Sequence, residues 1–169
     1  MILKKALRHL KKNFVFGLVN GPLAGTEAFE LKRFLLNSMG HTIGDGTRIV
    51  GPVFLSGTVI IGDNCWIGRN FSVNGNGKVV IGCDCDVAPD VHFNTGGHAI
   101  GSHDRRAGDG QIYTQTIGDG TWIGARSTFV TEIAVGEGCM VAACACVTTN
   151  IEANCLVGGV PAKVIRKLA

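Results

Sequence analysis

Five histidines carry the most obvious chemistry in this chain: His9, His41, His92, His98 and His103. An imidazole takes up a proton near neutral pH, so a positioned histidine can deprotonate an alcohol, the step that acyl transfer to a hydroxyl needs. His98 is the best placed for that work. It ends the run Thr95-Gly96-Gly97-His98, at the mouth of the one long break in an otherwise regular repeat, residues 99–115. Long loops on rigid scaffolds tend to carry function. His9 belongs to a basic segment, and His41 opens the repeat. His92, His98 and His103 suggest a second chemistry, since three imidazoles and a water make a hydrolytic zinc centre, although their spacing matches no metal signature. Asn74, within Val73-Asn74-Gly75-Asn76-Gly77, is either a corner residue or an amide that binds a hydroxyl, and the residues alone favour the corner.

The element that positions these side chains is a repeat of six. Stepping from Ile43 meets Ile49, Leu55, Ile61, Ile67, Val73 and Val79; the phase slips by two at Ile81 and continues through Val87 and Phe93. After the break it resumes at Ile117, Ile123, Phe129, Val135, Val141 and Val147. Six matches neither the helical period nor simple strand alternation, so each hexad is one short strand plus one corner, and three hexads make one triangular coil. Glycine often follows the aliphatic residue (Gly44, Gly62, Gly118, Gly124), which predicts corners that need permissive dihedrals. Four places beyond the aliphatic residue come compact side chains, Thr47, Cys65, Cys85, Thr121, Ser127, Cys139 and Ala145, as a narrow prism requires. That register buries Cys65, Cys85 and Cys139 as small hydrophobes.

Composition agrees with many tight corners. A chain of 169 residues that is 46% apolar has room for one domain with a continuous core, and it holds 25 glycines but only four prolines. The net charge of +3 is too small to point to nucleic acid. Residues 1–40 hold seven basic side chains against two acidic ones, so the positive charge sits at the N-terminus. Seven cysteines without a CxxC pair fit a reducing, cytoplasmic compartment. The apolar run Phe14–Val19 is too short for a secretory h-region or a membrane span.

Leu3, Leu7, Leu10 and Phe14 fall at helical spacing among Lys4, Lys5, Arg8, Lys11 and Lys12, and Thr26 is placed to cap a second helix carrying Leu31, Phe34 and Leu35. Both helices are expected to cover the open end of the coil. The basic one presents either a solvated face or a stripe for anionic lipid, a peripheral membrane contact through residues 1–16.

Thr95-Gly96-Gly97-His98, the run from Thr116 to Ala125 and the ending from Gly158 to Lys167 together resemble the hexapeptide-repeat acyltransferases, in the branch of maltose, galactoside and capsular polysaccharide O-acetyltransferases. The resemblance covers about residues 41–169. It implies an all-β, left-handed parallel β-helix over 41–169; helical spacing makes residues 1–40 a helical cap, and the break in the repeat makes 99–115 an extruded loop. It also implies acetyl-CoA as co-substrate, a sugar or glycan acceptor, and a homotrimer with sites between neighbouring coils. His98 matches the family's general base and Asn74 an asparagine that positions acceptor and thioester. Trp122 would lie near the acceptor, and Ala125, Ala143, Thr148, Lys163 and Arg166 would line the coenzyme groove. Cys144 and Cys146 depart from the family pattern, as does the 99–115 segment with Arg105 and Arg106. The alternatives are a serine O-acetyltransferase, a zinc-dependent hydratase and a non-catalytic scaffold.

Overall fold

The computed structural model describes residues 2–169; within the first helix the side chains of residues 2–5 and Arg8 lie outside the described ones, and with them the expectations for Leu3, Lys4, Lys5 and Arg8. The body is a left-handed parallel β-helix whose short strands stack into three faces. The first face holds Thr42–Ile43, Thr58–Ile61, Lys78–Ile81, Thr114–Ile117 and Ile133–Val135. The second runs from Arg48–Ile49 through Trp66–Ile67, Asp86–Val87, Trp122–Ile123 and Met140–Val141 to Cys155–Gly159, and is closed by the antiparallel Ala162–Lys167. The third holds Val53–Leu55, Phe71–Asn74, His92–Asn94, Thr128–Phe129 and Cys146–Val147.

Every aliphatic or aromatic residue of the hexad series is buried, because one inward side chain per short strand fills the prism. Phe71, Phe93 and Phe129 stack up the third face, the last two nearly parallel at 4.4 Å between centroids. The compact set from Thr47 to Ala145 is buried as well. All seven cysteines are free, and burial pushes the Cys139 thiol up from its ordinary value. The slip of phase has a local cause. Leu55 pairs with Val73 but Thr58 pairs with Lys78, so the second coil is two residues longer, and both fall in the corner Asn74–Gly77.

The glycines after the aliphatic residues serve another purpose than the one their positions suggest. A Cβ on Gly118 would stand 2.4 Å from the Glu137 nitrogen of the next coil, so close stacking excludes a side chain. The left-handed corner conformation falls elsewhere, at residues such as Asn64, Asp84, Gly120 and Asn154.

The break in the repeat is a regular β-hairpin rather than an irregular loop. Gly96–Ile100 pairs antiparallel with Ala107–Ile112, and the coil resumes at Thr114, with Gln115 buried in line with Val79 and Ile133. The extrusion therefore begins at Gly96, before His98, and ends sooner than the aliphatic pattern indicates. The hexad rule misses this because Gln115 holds an interior place with its amide, which donates to the carbonyls of Asn94 and Thr131.

Two helices precede the coil, α1 (Ile2–Asn20) and α2 (Phe29–Asn37). The expected apolar face of α1 is not the one that covers the coil: Leu7, Leu10 and Phe14 are exposed, whereas Val15 and Val19, about a third of a turn round the helix, are buried. Nor does Thr26 cap α2. Ala28 occupies the N-cap with no side-chain hydrogen bond, and Lys32 and Leu36 face inward while Leu31 and Phe34 face out. The Lys32 ammonium donates to the Gly25 carbonyl and lies over the Phe29 ring, which ties the connecting segment to the helix.

Candidate active site

The edge between the third and first faces differs from the other two, because the longer corner at 74–77 and the base of the hairpin both lie there. Thr95 joins them. Its buried hydroxyl donates to the Asn74 carbonyl at 2.9 Å and accepts the Gly77 N–H at 3.1 Å, while its own N–H donates to the same Asn74 carbonyl. Glycines allow the approach: a Cβ on Gly75, already at φ +100°, would come within 2.7 Å of the Gly96 nitrogen. One on Gly97 would meet the Tyr113 hydroxyl at 2.7 Å, and that hydroxyl donates to Gln111. Thr95 and Gly97 of Thr-Gly-Gly-His thus have a hydrogen-bonding and a steric reason, whereas a Cβ on Gly96 would meet nothing closer than 3.6 Å.

Asn74 and His98 consequently line one cleft of about 520 Å³, together with Asn76, Asn94, Gln111 and backbone of the hairpin. His98 is exposed in it. Its Nδ1 lies 2.8 Å from the Gly108 carbonyl, which can only accept, so Nδ1 carries the proton and Nε2 is left with its lone pair. Sequence reasoning missed Gly108, since a backbone carbonyl ten residues away leaves no signal in residue type. Asn74 Nδ2 donates to Asn94 Oδ1 at 3.3 Å, and Asn74 Oδ1 has no partner among the described residues. Behind it Ser72 Oγ and His92 Nδ1 meet at 2.6 Å, which commits His92 to the wall.

The three histidines of the zinc reading do not converge within the chain. His92 is held by Ser72, His98 by Gly108, and His103 pairs with Asp104 at the exposed tip of the hairpin. Among the described residues no group of three His, Cys, Asp or Glu side chains could hold a metal.

The remaining site residues lie away from this cleft in the same chain. Trp122 stands on the second face, 52% exposed. Ala125 and Ala143 occupy stacked corners between the second and third faces, and their N–H groups have no partner among the described residues. A Cβ on Gly124 would lie 2.5 Å from the Ala143 nitrogen, so the glycine keeps the two corners in contact. Thr148 follows the last strand of the third face, and Lys163 and Arg166 are exposed on the closing strand Ala162–Lys167. The structure brings Asn74 and His98 together and leaves Trp122, Ala125, Ala143, Thr148, Lys163 and Arg166 on other parts of the coil.

No family model matches the chain. It is 31% identical over 145 residues to the galactoside O-acetyltransferase of Escherichia coli K12, an alignment covering 82% of this chain and 70% of the relative. Its fold superposes on a galactoside acetyltransferase solved with coenzyme A at a TM-score of 0.82 and 24% identity, over 97% of this chain and 82% of the other. A hexapeptide-repeat acetyltransferase of Vibrio cholerae O1 biovar eltor, solved with acetyl-CoA, gives 0.80 at 25% identity, over 98% and 88%. A repeat of six built into stacked triangular coils, and a sequence shared with galactoside O-acetyltransferase along most of its length, lead to one assignment: this chain belongs to the hexapeptide-repeat acetyltransferases and is an acetyl-CoA-dependent enzyme.

Proposed function

We propose that the enzyme moves the acetyl group of acetyl-CoA to a hydroxyl of a sugar or glycan, with His98 as general base. The observation that carries this reading is the hydrogen bond from His98 Nδ1 to the Gly108 carbonyl, which leaves Nε2 to take a proton. The acceptor oxygen then attacks the thioester carbonyl, a tetrahedral oxyanion forms, and the coenzyme thiolate leaves and recovers the proton from the imidazolium. Asn74 Oδ1 is free to accept from the acceptor. The Ala125 N–H, unpaired by backbone, is suited to donate to the oxyanion. A sugar or glycan hydroxyl is favoured over free serine at this cleft, because amides and glycines surround His98 and no carboxylate or guanidinium in the lining could meet a zwitterion.

The site is shared between copies in a homotrimer, on this reading. His98 and Asn74 stand on one edge of the prism, while Trp122, Ala125, Ala143, Thr148, Lys163 and Arg166 lie elsewhere and would form the coenzyme groove against a neighbour's His98. Exposed Ile100, Ile112, Val160 and Val164 supply apolar surface for such contacts. Residues 1–40 act as the cap of the catalytic body 41–169, in a cytoplasmic protein whose seven thiols stay reduced. Among the described residues no helix is long and apolar enough to cross a membrane. The outward Leu7, Leu10 and Phe14 nevertheless favour a peripheral contact of residues 1–16 with anionic lipid.

Thiol release from acetyl-CoA in the presence of sugars tests the central step. Replacing His98 by Ala should lower turnover by about 10² or more without changing thermal stability, and full turnover in that variant rejects the base assignment. For the lipid contact, Leu7, Leu10 and Phe14 changed together to Gln should abolish flotation with anionic vesicles; equal flotation of variant and wild type rejects it.

A further inference from the structure

The His98 cleft is not the only one at the enlarged corner. A second, of about 220 Å³, lies between α1 and the start of the coil and is lined by Lys12, Phe16, His41, Ser56, Thr58 and Asn76 among others. Asn76 lines both clefts. Stacked corners make them neighbours. A Cβ on Gly57 would stand 2.4 Å from the Gly77 carbonyl oxygen, and one on Gly75 would stand 2.7 Å from the Gly96 nitrogen. Corner 56–58 therefore rests on corner 74–77, which in turn rests on the base of the His98 hairpin.

The chemistry of the second cleft is one-sided. No carboxylate lines it, and Lys12 has no ion-pair partner among the described residues. His41 Nδ1 is buried without a hydrogen-bond partner, which is costly for a polar atom. Ser56, Thr58 and Asn76 add hydroxyl and amide groups whose side chains also lack partners among the described residues. Burial, and then the Lys12 charge, hold the His41 imidazole below its ordinary value, as the pair's position in one cleft requires. A cation, an imidazole and three uncharged polar side chains around a small space, with no acid to balance them, form the complement of an oxyanion.

We propose that this cleft is an anion subsite for the acceptor: the sugar or glycan carries a phosphate or carboxylate that sits between Lys12 and His41, while its reacting hydroxyl reaches His98 past Asn76. The proposal rests on the reading of His98 as the base of an O-acetyltransferase. It adds a substrate class, anionic glycans, that the uncharged His98 cleft does not by itself imply. Neutral sugars would bind through the His98 cleft alone and so more weakly.

The test compares paired acceptors, glucose with glucose 6-phosphate and galactose with galacturonate, by thiol release from acetyl-CoA. Each charged member should exceed its neutral partner by about tenfold in kcat/KM, the worth of one charge-assisted contact. Lys12→Met and His41→Gln should each bring that ratio towards one. Equal use of charged and neutral acceptors by the wild type overturns the proposal, as does a charge preference that survives both substitutions. Should none of these sugars be acetylated, the sugar-acceptor reading falls, and glucose 6-phosphate and inorganic phosphate are titrated against the His41 ring resonances of the same protein. A sugar phosphate that shifts them in the wild type but not in Lys12→Met, at concentrations where free phosphate does not, supports the subsite. No shift, or equal shifts from free phosphate, overturns it.

Discussion

The edge between the first and second faces and the edge between the third and first are built from the same hexads but behave differently. Along the former, Thr47, Cys65, Cys85, Thr121, Cys139 and Cys155 stack one above another, all buried. Corner backbone hydrogen-bonds to the coil above or below, as Asn64 does with Asp45 and Gly138 with Asp119. Corner backbone along this edge is thus largely spent on the stack itself. Along the latter, two extra residues at 74–77 and a hairpin at 96–112 interrupt the stack, and several unpaired side-chain atoms collect there: His98 Nε2, Asn74 Oδ1 and His41 Nδ1. The regular edge supplies stability, and chemistry is left to the place where regularity fails.

The sharpest way to break that contrast is to damage each part separately. Phe93→Ala opens a hole between Phe71 and Phe129 and should cost about 3–5 kcal/mol in urea unfolding. Activity per folded molecule should change far less than stability. A Phe93 variant that stays fully stable but loses turnover would show that the stack, too, is part of the site. His98→Ala is the opposite probe, with its whole effect on turnover.

Thr95→Val tests the joint between the two regions. The substitution keeps the shape but leaves the buried Gly77 N–H unpaired, so it should destabilise by about 1–3 kcal/mol. It also removes one of the two hydrogen bonds, the hydroxyl's but not the N–H's, that tie the Asn74 carbonyl to Thr95, so turnover should fall by roughly tenfold as the joint between the two groups loosens. Loss of stability with unchanged kcat would show that Asn74 and His98 hold their geometry independently.

The smallest effect concerns pH. Burial and the Lys12 charge keep His41 neutral below the 6.5 of an ordinary imidazole. An unfolded chain protonates there and the folded one does not, so stability should decline as pH drops below 6.5 and level off once the folded ring protonates. His41→Gln should remove this slope from denaturation curves taken across that range. A slope that persists in the variant assigns the titration to another group.

The reach of the sequence follows from what a period records. Side-chain direction within a short strand is local, so Ile43 to Val147 at steps of six identified a triangular coil, and compact Thr47 and Cys85 identified its narrow interior. His98 was legible for the same reason, because it stands where the steps stop. Contacts between coils are not local. That Gly118 avoids a clash with Glu137, that Gln115 takes an interior place, and that Gly108 orients His98 depend on which strand lies beside which. The helices show the limit most plainly: spacing on α1 outlined the face of Leu7, Leu10 and Phe14, yet Val15 and Val19 are the residues that meet the coil. A helix can carry apolar groups on two sides, and only the shape of the coil's open end, with Asn20 bound to both the N–H and the carbonyl of Val53, decides which side is covered.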